Sequence, residues 1–227
     1  MEARNFRSRF EKEMAEMHSD LIKLGLLVEE AISRSLTALM TQDRALAGAV
    51  IAADKEINAL CNKVESEALN ILLRQQPVAT DLRLISTALK MVTDLERIGD
   101  QAEDICNIVL HLIEENYVAQ GKWIIIPRMA QLVKEMVNIC IQSFIKQDIE
   151  LAKKIIAMDD EVDALFNKLR DEMIELLQNK PQFANQAIYL MMVAKYLEKI
   201  GDHAENIADW VIYGKTGEKR NKDIYSN

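Results

Sequence analysis

The sequence predicts an all-α protein: two tandem three-helix bundles related by internal duplication. Apolar residues recur every three or four positions along nearly the whole chain, the spacing of one buried helical face. Glycine (7 residues), proline (3) and aromatic residues (5%) are too few for a turn-rich β architecture. The second half also repeats the first. DLERIGDQAEDICNIV at 94–109 aligns without gaps on YLEKIGDHAENIADWV at 196–211, an offset of 102 residues. Upstream, DKEINALCNKV at 54–64 aligns on DDEVDALFNKL at 159–169, an offset of 105. The breaks correspond as well, Gln42-Asp43 with Gln147-Asp148 and Pro77 with Pro181. A match of this length and order marks a duplication rather than chance.

The elements follow in order. Phe10, Met14, Met17, Leu21, Leu24, Val28, Ile32 and Leu36 form the apolar stripe of a long first helix, about residues 5–40. Thr41-Gln42-Asp43 interrupts it, and Asp43 is placed to N-cap a second helix reaching about residue 74. Gln75-Gln76-Pro77 is the next break, and a third helix runs to about residue 116. Residues 116–122, which include Gly121, are the most loop-like interior segment. Helices four to six cover roughly 125–146, 148–178 and 182–213. Several span about 30 residues, roughly 45 Å at 1.5 Å per residue. Joined by short loops, such helices pack as antiparallel neighbours. The chain therefore divides into a first bundle over 1–117, a second over 118–213 and a polar, frayed tail over 214–227.

Composition narrows the function. With 49% hydrophobic and 28% charged residues, the chain can bury a core and cover it. Its net charge of −8, from 36 acids against 28 bases, is the opposite of what a nucleic-acid binder needs, so no nucleic-acid partner is expected. Cys61, Cys106 and Cys140 lie within helical patterns without a C-x-x-C, which reads as small buried hydrophobes in a reducing cytoplasm. No apolar run is long enough to cross a membrane, and the charged start MEARNFRSRFEKEM is not a signal peptide.

The candidate chemistry lies on the duplicated helices. At 100° per residue, Glu96, Asp100, Glu103 and Asn107 fall within a stripe about 60° wide, and Glu198, Asp202, Glu205 and Asp209 repeat it. Leu95, Ile98, Ala102, Ile105 and Val109 lie on the opposite side. A solvated helix face would explain this pattern on its own. Yet like charges at i, i+4 oppose helix formation by a few tenths of a kcal/mol, and few bases are interleaved on the stripe. The neighbouring helix answers it. About the turn at Pro77, Asp54 lies level with Asp100 and Asn58 with Glu96; about Pro181, Asp159 lies level with Asp202 and Asp163 with Glu198. Oxygen-bearing side chains converging in this way repel unless something positive sits between them. Carboxylate clusters without histidine or thiolate suit hard or borderline cations, Mg²⁺, Mn²⁺, Ca²⁺ or iron. Gly99 and Gly201 interrupt good helices at a cost of about 1 kcal/mol relative to alanine, and they permit close helix approach.

Other chemistries find less support. Di-iron oxygenase chemistry needs Glu-x-x-His, and Gly99 or Gly201 stands at the histidine position. His18, His111 and His203 fall outside the stripes. Gly214-Lys215-Thr216 looks like part of a phosphate-binding loop, but Asp209 replaces the required earlier glycine and a helix precedes it.

The segments LERIGDQAEDI and LEKIGDHAENI, with the hairpin QQPVATDLRLI, closely resemble the PhoU family of phosphate-specific transport system accessory proteins, over the chain to about residue 213. The resemblance implies two three-helix bundles whose Glu/Asp-x-x-x-Asp motifs bind metal clusters. The ions are divalent or trivalent (iron, manganese, magnesium or zinc), with none singled out. Residue by residue, the motif falls on Glu96 and Asp100 and on Glu198 and Asp202, with Asp159 and Asp163 as the partner motif. Asp54 and Asn58 supply one carboxylate fewer, so the first site is expected to hold fewer ions or to hold them less tightly. Glu103 and Glu205 extend the two stripes. The implied function is that of a non-enzymatic cytoplasmic regulator. It would restrain the Pst phosphate ABC transporter through its ATPase and support repression by the PhoR histidine kinase when phosphate is plentiful. The family also suggests a homodimer that reaches the membrane only through its partners. The alternatives are a metal-dependent hydrolase or metal-storage protein using the same carboxylates, and a structural helical repeat without metal.

Overall fold

The helical periodicity is realised as six α-helices among the described residues, which in this computed structural model are 2–115 and 124–220. They are α1 (Glu2–Thr41), α2 (Arg44–Gln75), α3 (Ala79–Glu114), α4 (Ile125–Lys146), α5 (Ile149–Asn179) and α6 (Ala184–Thr216), with a 3₁₀ turn at Pro181–Phe183 before α6. The duplication extends to backbone detail. Gln42 and Gln147 both adopt left-handed conformations, at φ 52° and 53°, where α1 and α4 end. The aspartate that follows each then caps the next helix. Asp43 accepts from Leu46 N–H at 3.0 Å, and Asp148 from Glu150 and Leu151 N–H at 2.9 and 3.2 Å.

The helices pack as α1–α2–α3 and α4–α5–α6, joined through α1 against α4 and α3 against α6. Four helices thus form an inner group, with α2 and α5 on its flanks. Both joints are antiparallel. Along one, Arg83 Nε donates to Gly214 O at 3.3 Å, Thr87 Oγ1 to Trp210 O at 3.1 Å, and Tyr189 Oη to Glu115 at 3.1 Å. Along the other, Asn138 Nδ2 donates to Glu29 at 3.0 Å, and Gly25 lies directly under Ile141. The apolar stripes meet in one continuous core spanning both copies, in which Met17, Leu21, Leu95, Ile98, Ile126, Phe144, Val193 and Ile200 are almost fully buried. Each such side chain contributes about 1.5–3 kcal/mol by leaving water.

One boundary differs from expectation. The tail predicted from residue 214 begins later, because α6 continues to Thr216. Gly214 reads locally as a helix stop, but here it serves close approach: a Cβ at that position would stand 2.6 Å from Thr87 Oγ1. The Gly-Lys-Thr tripeptide therefore closes a helix and forms no phosphate loop. The loop expected over 116–122, the boundary at 117 and the tail beyond Arg220 lie outside the described residues.

Candidate metal centres

In the first copy, α2 presents Asp54 and, one turn later, Asn58 toward α3. Asp54 is only 7% exposed; its Oδ2 accepts from Asn58 Nδ2 at 2.5 Å, while no donor reaches its buried Oδ1 or the buried Oδ1 of Asn58. Facing it is Gly99, where a Cβ would lie 3.2 Å from Ile57 Cγ2 and 3.4 Å from Asp54 Oδ1. The missing side chain makes the slot that admits the carboxylate. Burial, and then the field of Asp100, push the Asp54 carboxyl above its ordinary value. Glu96 belongs to the same neighbourhood. The Cys61 thiol is pushed up to about 12 by burial, and after that by Glu96, Asp54, Glu65 and Asp100. Glu103 is raised as well, by burial and then by Asp54, Asp104 and Asp100. Asp100 accepts from Arg97 at 3.0 Å.

The second copy repeats this plan with tighter geometry. Asp159 is 9% exposed, and a Cβ on Gly201 would stand only 2.6 Å from its Oδ1. Asp163, one turn on, is raised by partial burial and then by Glu198, Asp202 and Asp160, with Lys195 opposing. Asp163, Glu198 and Asp202 are therefore close enough to act on one another, and Asp159 lies against the helix at Gly201, next to Asp202 in sequence.

Bases also reach this cluster, contrary to the expectation of an acidic stripe with few of them. Lys195 donates to Glu198 at 2.6 Å, and Lys199 to Asp202 at 2.5 Å while also lying 3.6 Å from Glu198. Each lysine sits three residues before the acid to which it donates, a spacing at which flexible stems fold along a helix. Glu205, further along the stripe, pairs with Arg220. Among the described residues, no three Asp, Glu, His or Cys side chains close around one point suited to an ion.

The residues nonetheless fit a hard cation chemically. They are oxygen donors, they include a buried carboxylate oxygen without a donor, and their mutual repulsion is what a cation would relieve. The three cysteines are buried and free, as their helical positions suggest. His111 is exposed, and His18 packs edge-on against Phe144 at 5.3 Å. His203 stands off the stripe as its helical angle requires, but its partner was not legible: Nδ1 lies 2.8 Å from Asp94 of α3. The duplication hides that pair, since the copy of Asp94 is Tyr196.

Comparison with known proteins agrees with the architecture. The PhoU domain model matches the chain twice, over residues 21–109 and 126–211. A phosphate-specific transport system accessory protein PhoU homolog of Aquifex aeolicus is 41% identical over 207 residues, covering 91% of this chain and 93% of that protein. The homolog from Clostridium acetobutylicum is 32% identical over 216 residues, covering 94% and 97%. The crystal structure of PhoU from Pseudomonas aeruginosa superposes with a TM-score of 0.87 at 33% identity, covering 92% of this chain and all of that one. The phosphate transport system regulatory protein PhoU from Streptococcus pneumoniae superposes with a TM-score of 0.84 at 27% identity, covering 93% and 99%. With both halves matched and nearly the full length covered, the chain belongs to the PhoU family.

Proposed function

We propose that this chain is a non-enzymatic cytoplasmic regulator of phosphate homeostasis. In this reading it restrains the Pst phosphate ABC transporter at its ATPase and supports repression by the PhoR kinase when phosphate is plentiful. The observation that carries the reading is the near-full-length match to proteins named as accessory or regulatory parts of phosphate transport. The structure is compatible with a docking role: no helix among the described residues is long and apolar enough to cross a membrane, so contact with a transporter would run through protein surfaces. The working unit is proposed to be a homodimer, which sedimentation of the purified protein tests.

Metal belongs to the same proposal. Asp159, Asp163, Glu198 and Asp202 would hold ions in the second copy, and Asp54, Asn58, Glu96 and Asp100 in the first, with Glu103 and Glu205 at the margins. A bound ion would neutralise opposed carboxylates and tie neighbouring helices together. The chain's own part is to hold those oxygens on two helices at one height.

Two measurements test the proposal. Affinity purification from membranes carrying the transporter and the kinase should capture at least one of them in a phosphate-dependent manner. Capture of neither, at high or low phosphate, removes the regulatory reading. Elemental analysis after native purification should show metal that is lost when Asp159, Asp163, Glu198 and Asp202 are all changed to alanine. Equal metal content in the two proteins removes the metal reading.

A further inference from the structure

The acidic stripe of α6 already carries a cation, and it comes from the chain itself. Gly217, at φ +80°, ends α6 in the left-handed conformation, its N–H donating to Tyr213 O at 2.7 Å. The next residue is tied down, Glu218 N–H donating to Thr216 Oγ1 at 3.1 Å. The chain then doubles back along the helix it has just left. Lys219 Nζ lies 4.6 Å from the centre of the Trp210 ring. Arg220 reaches further, with Nε 3.0 Å from Asp209 Oδ1 and a second guanidinium nitrogen on Glu205.

In sequence the two copies differ at this level. The residues equivalent to Glu205, Asn206 and Asp209 are Glu103, Asp104 and Asn107, so each copy has two acids here but only the second places both along the stripe, one turn apart. The first stripe's neighbours there are acids: after burial, the fields of Asp54, Asp104 and Asp100 act on Glu103. The arginine docks where the second copy places its second acid one helical turn on from Glu205. Arg220 hydrogen-bonds Glu205 and ion-pairs with Asp209, so one guanidinium serves as counter-ion to both part-buried carboxylates.

We propose that residues 217–220 form a built-in strap in which Arg220 occupies the Glu205–Asp209 end of the second stripe, so that a divalent cation reaches those two carboxylates only by displacing it. The proposal rests on the reading of the stripe as a metal surface. It makes the far end of the second stripe self-competing, beyond the lysines already paired with Glu198 and Asp202. The rival is tethered four residues from the helix end, so its effective concentration is high.

The test is Mn²⁺ titration of the full-length, chelator-treated protein by calorimetry, with Arg220→Ala and Arg220→Lys beside the wild type. Arg220→Ala should bind Mn²⁺ tighter, by about fivefold, the scale of a part-exposed ion pair. Arg220→Lys keeps the charge but not the two-nitrogen reach, and should fall between wild type and Arg220→Ala. Adding Glu205→Gln and Asp209→Asn to Arg220→Ala should abolish the gain, which a general effect on folding would not do. If wild type and Arg220→Ala bind Mn²⁺ equally, the strap is overturned while the metal reading stands. If none of the proteins binds Mn²⁺, both are overturned.

Discussion

Gly99 and Gly201 hold equivalent places in the two copies, yet the atoms above them are not equally close. At Gly99 an added methyl would meet ordinary to tight contacts at 3.2–3.5 Å; at Gly201 it would lie 2.6 Å from a buried carboxylate oxygen. Helix propensity alone favours alanine at either site by about 1 kcal/mol. Gly99→Ala should therefore leave stability within about 1 kcal/mol of wild type. Gly201→Ala should destabilise by about 1–2 kcal/mol, overpacking outweighing propensity. Urea midpoints of the two variants decide it, and equal effects would mean that the slot above Gly201 gives way. A second residue-scale test lies outside the stripes. The Glu67 carboxyl is raised by burial and then by Asp20, despite Lys63 at 3.6 Å, and its Oε2 is buried without a hydrogen-bond donor. A carboxyl raised on folding binds more protons in the native state, so its stabilising share is present below its unfolded value of 4.5 and lost as pH rises through the folded one. Glu67→Gln should thus be more stable than wild type at pH 7, the difference vanishing below pH about 4. A difference that stays constant across this range would refute the assignment.

At the scale of the element, the turns are the most transferable part of the reading. Asp43 was identified as an N-cap from sequence, and the hydrogen bond to Leu46 N–H is there. Asp43→Ala and Asp148→Ala should each cost about 1 kcal/mol. Because α1 and α4 run antiparallel, the two caps sit at opposite ends of the molecule, so the double variant should lose the sum. Thermal unfolding of the three proteins checks both statements. Helices, their order and the matched heights of the carboxylates were all legible, since periodicity and the repeat are local signals. What escaped was set by tertiary placement. Helical angle puts His203 off the stripe, but nothing in the sequence pairs it with Asp94 on a helix of the other copy. Lys195 and Lys199 are visible as residues, yet only their side-chain conformations turn them onto Glu198 and Asp202. Arg220 lay in a segment read as a frayed tail, where composition carries no information about docking.

Across the whole molecule, the decisive feature is that the two copies share one core. The antiparallel contact of α3 with α6 and of α1 with α4 leaves neither bundle a separate apolar interior. Unfolding should therefore be a single transition, with circular dichroism and tryptophan fluorescence giving coincident urea midpoints. Two separated midpoints would show the copies melting independently. The same fusion explains why duplicated sequence has not meant duplicated chemistry. Each copy presents its carboxylates to its own outer helix, α2 or α5, while the inner helices are committed to one another. Polar residues on the outer helices can therefore diverge without disturbing the joint, as Asn58 against Asp163 shows.

The slot above Gly201 has a consequence for how such sequences drift. A carboxylate at 159 and a hydrogen at 201 fill one volume between them, so neither position is free to vary alone. Once the acid is lost, the glycine has no remaining tenant to accommodate, and selection for helix stability would replace it with alanine. Across related sequences the two positions should change together, acid with glycine and small apolar with alanine. At 54 and 99, where the fit is looser, the same coupling should be weaker.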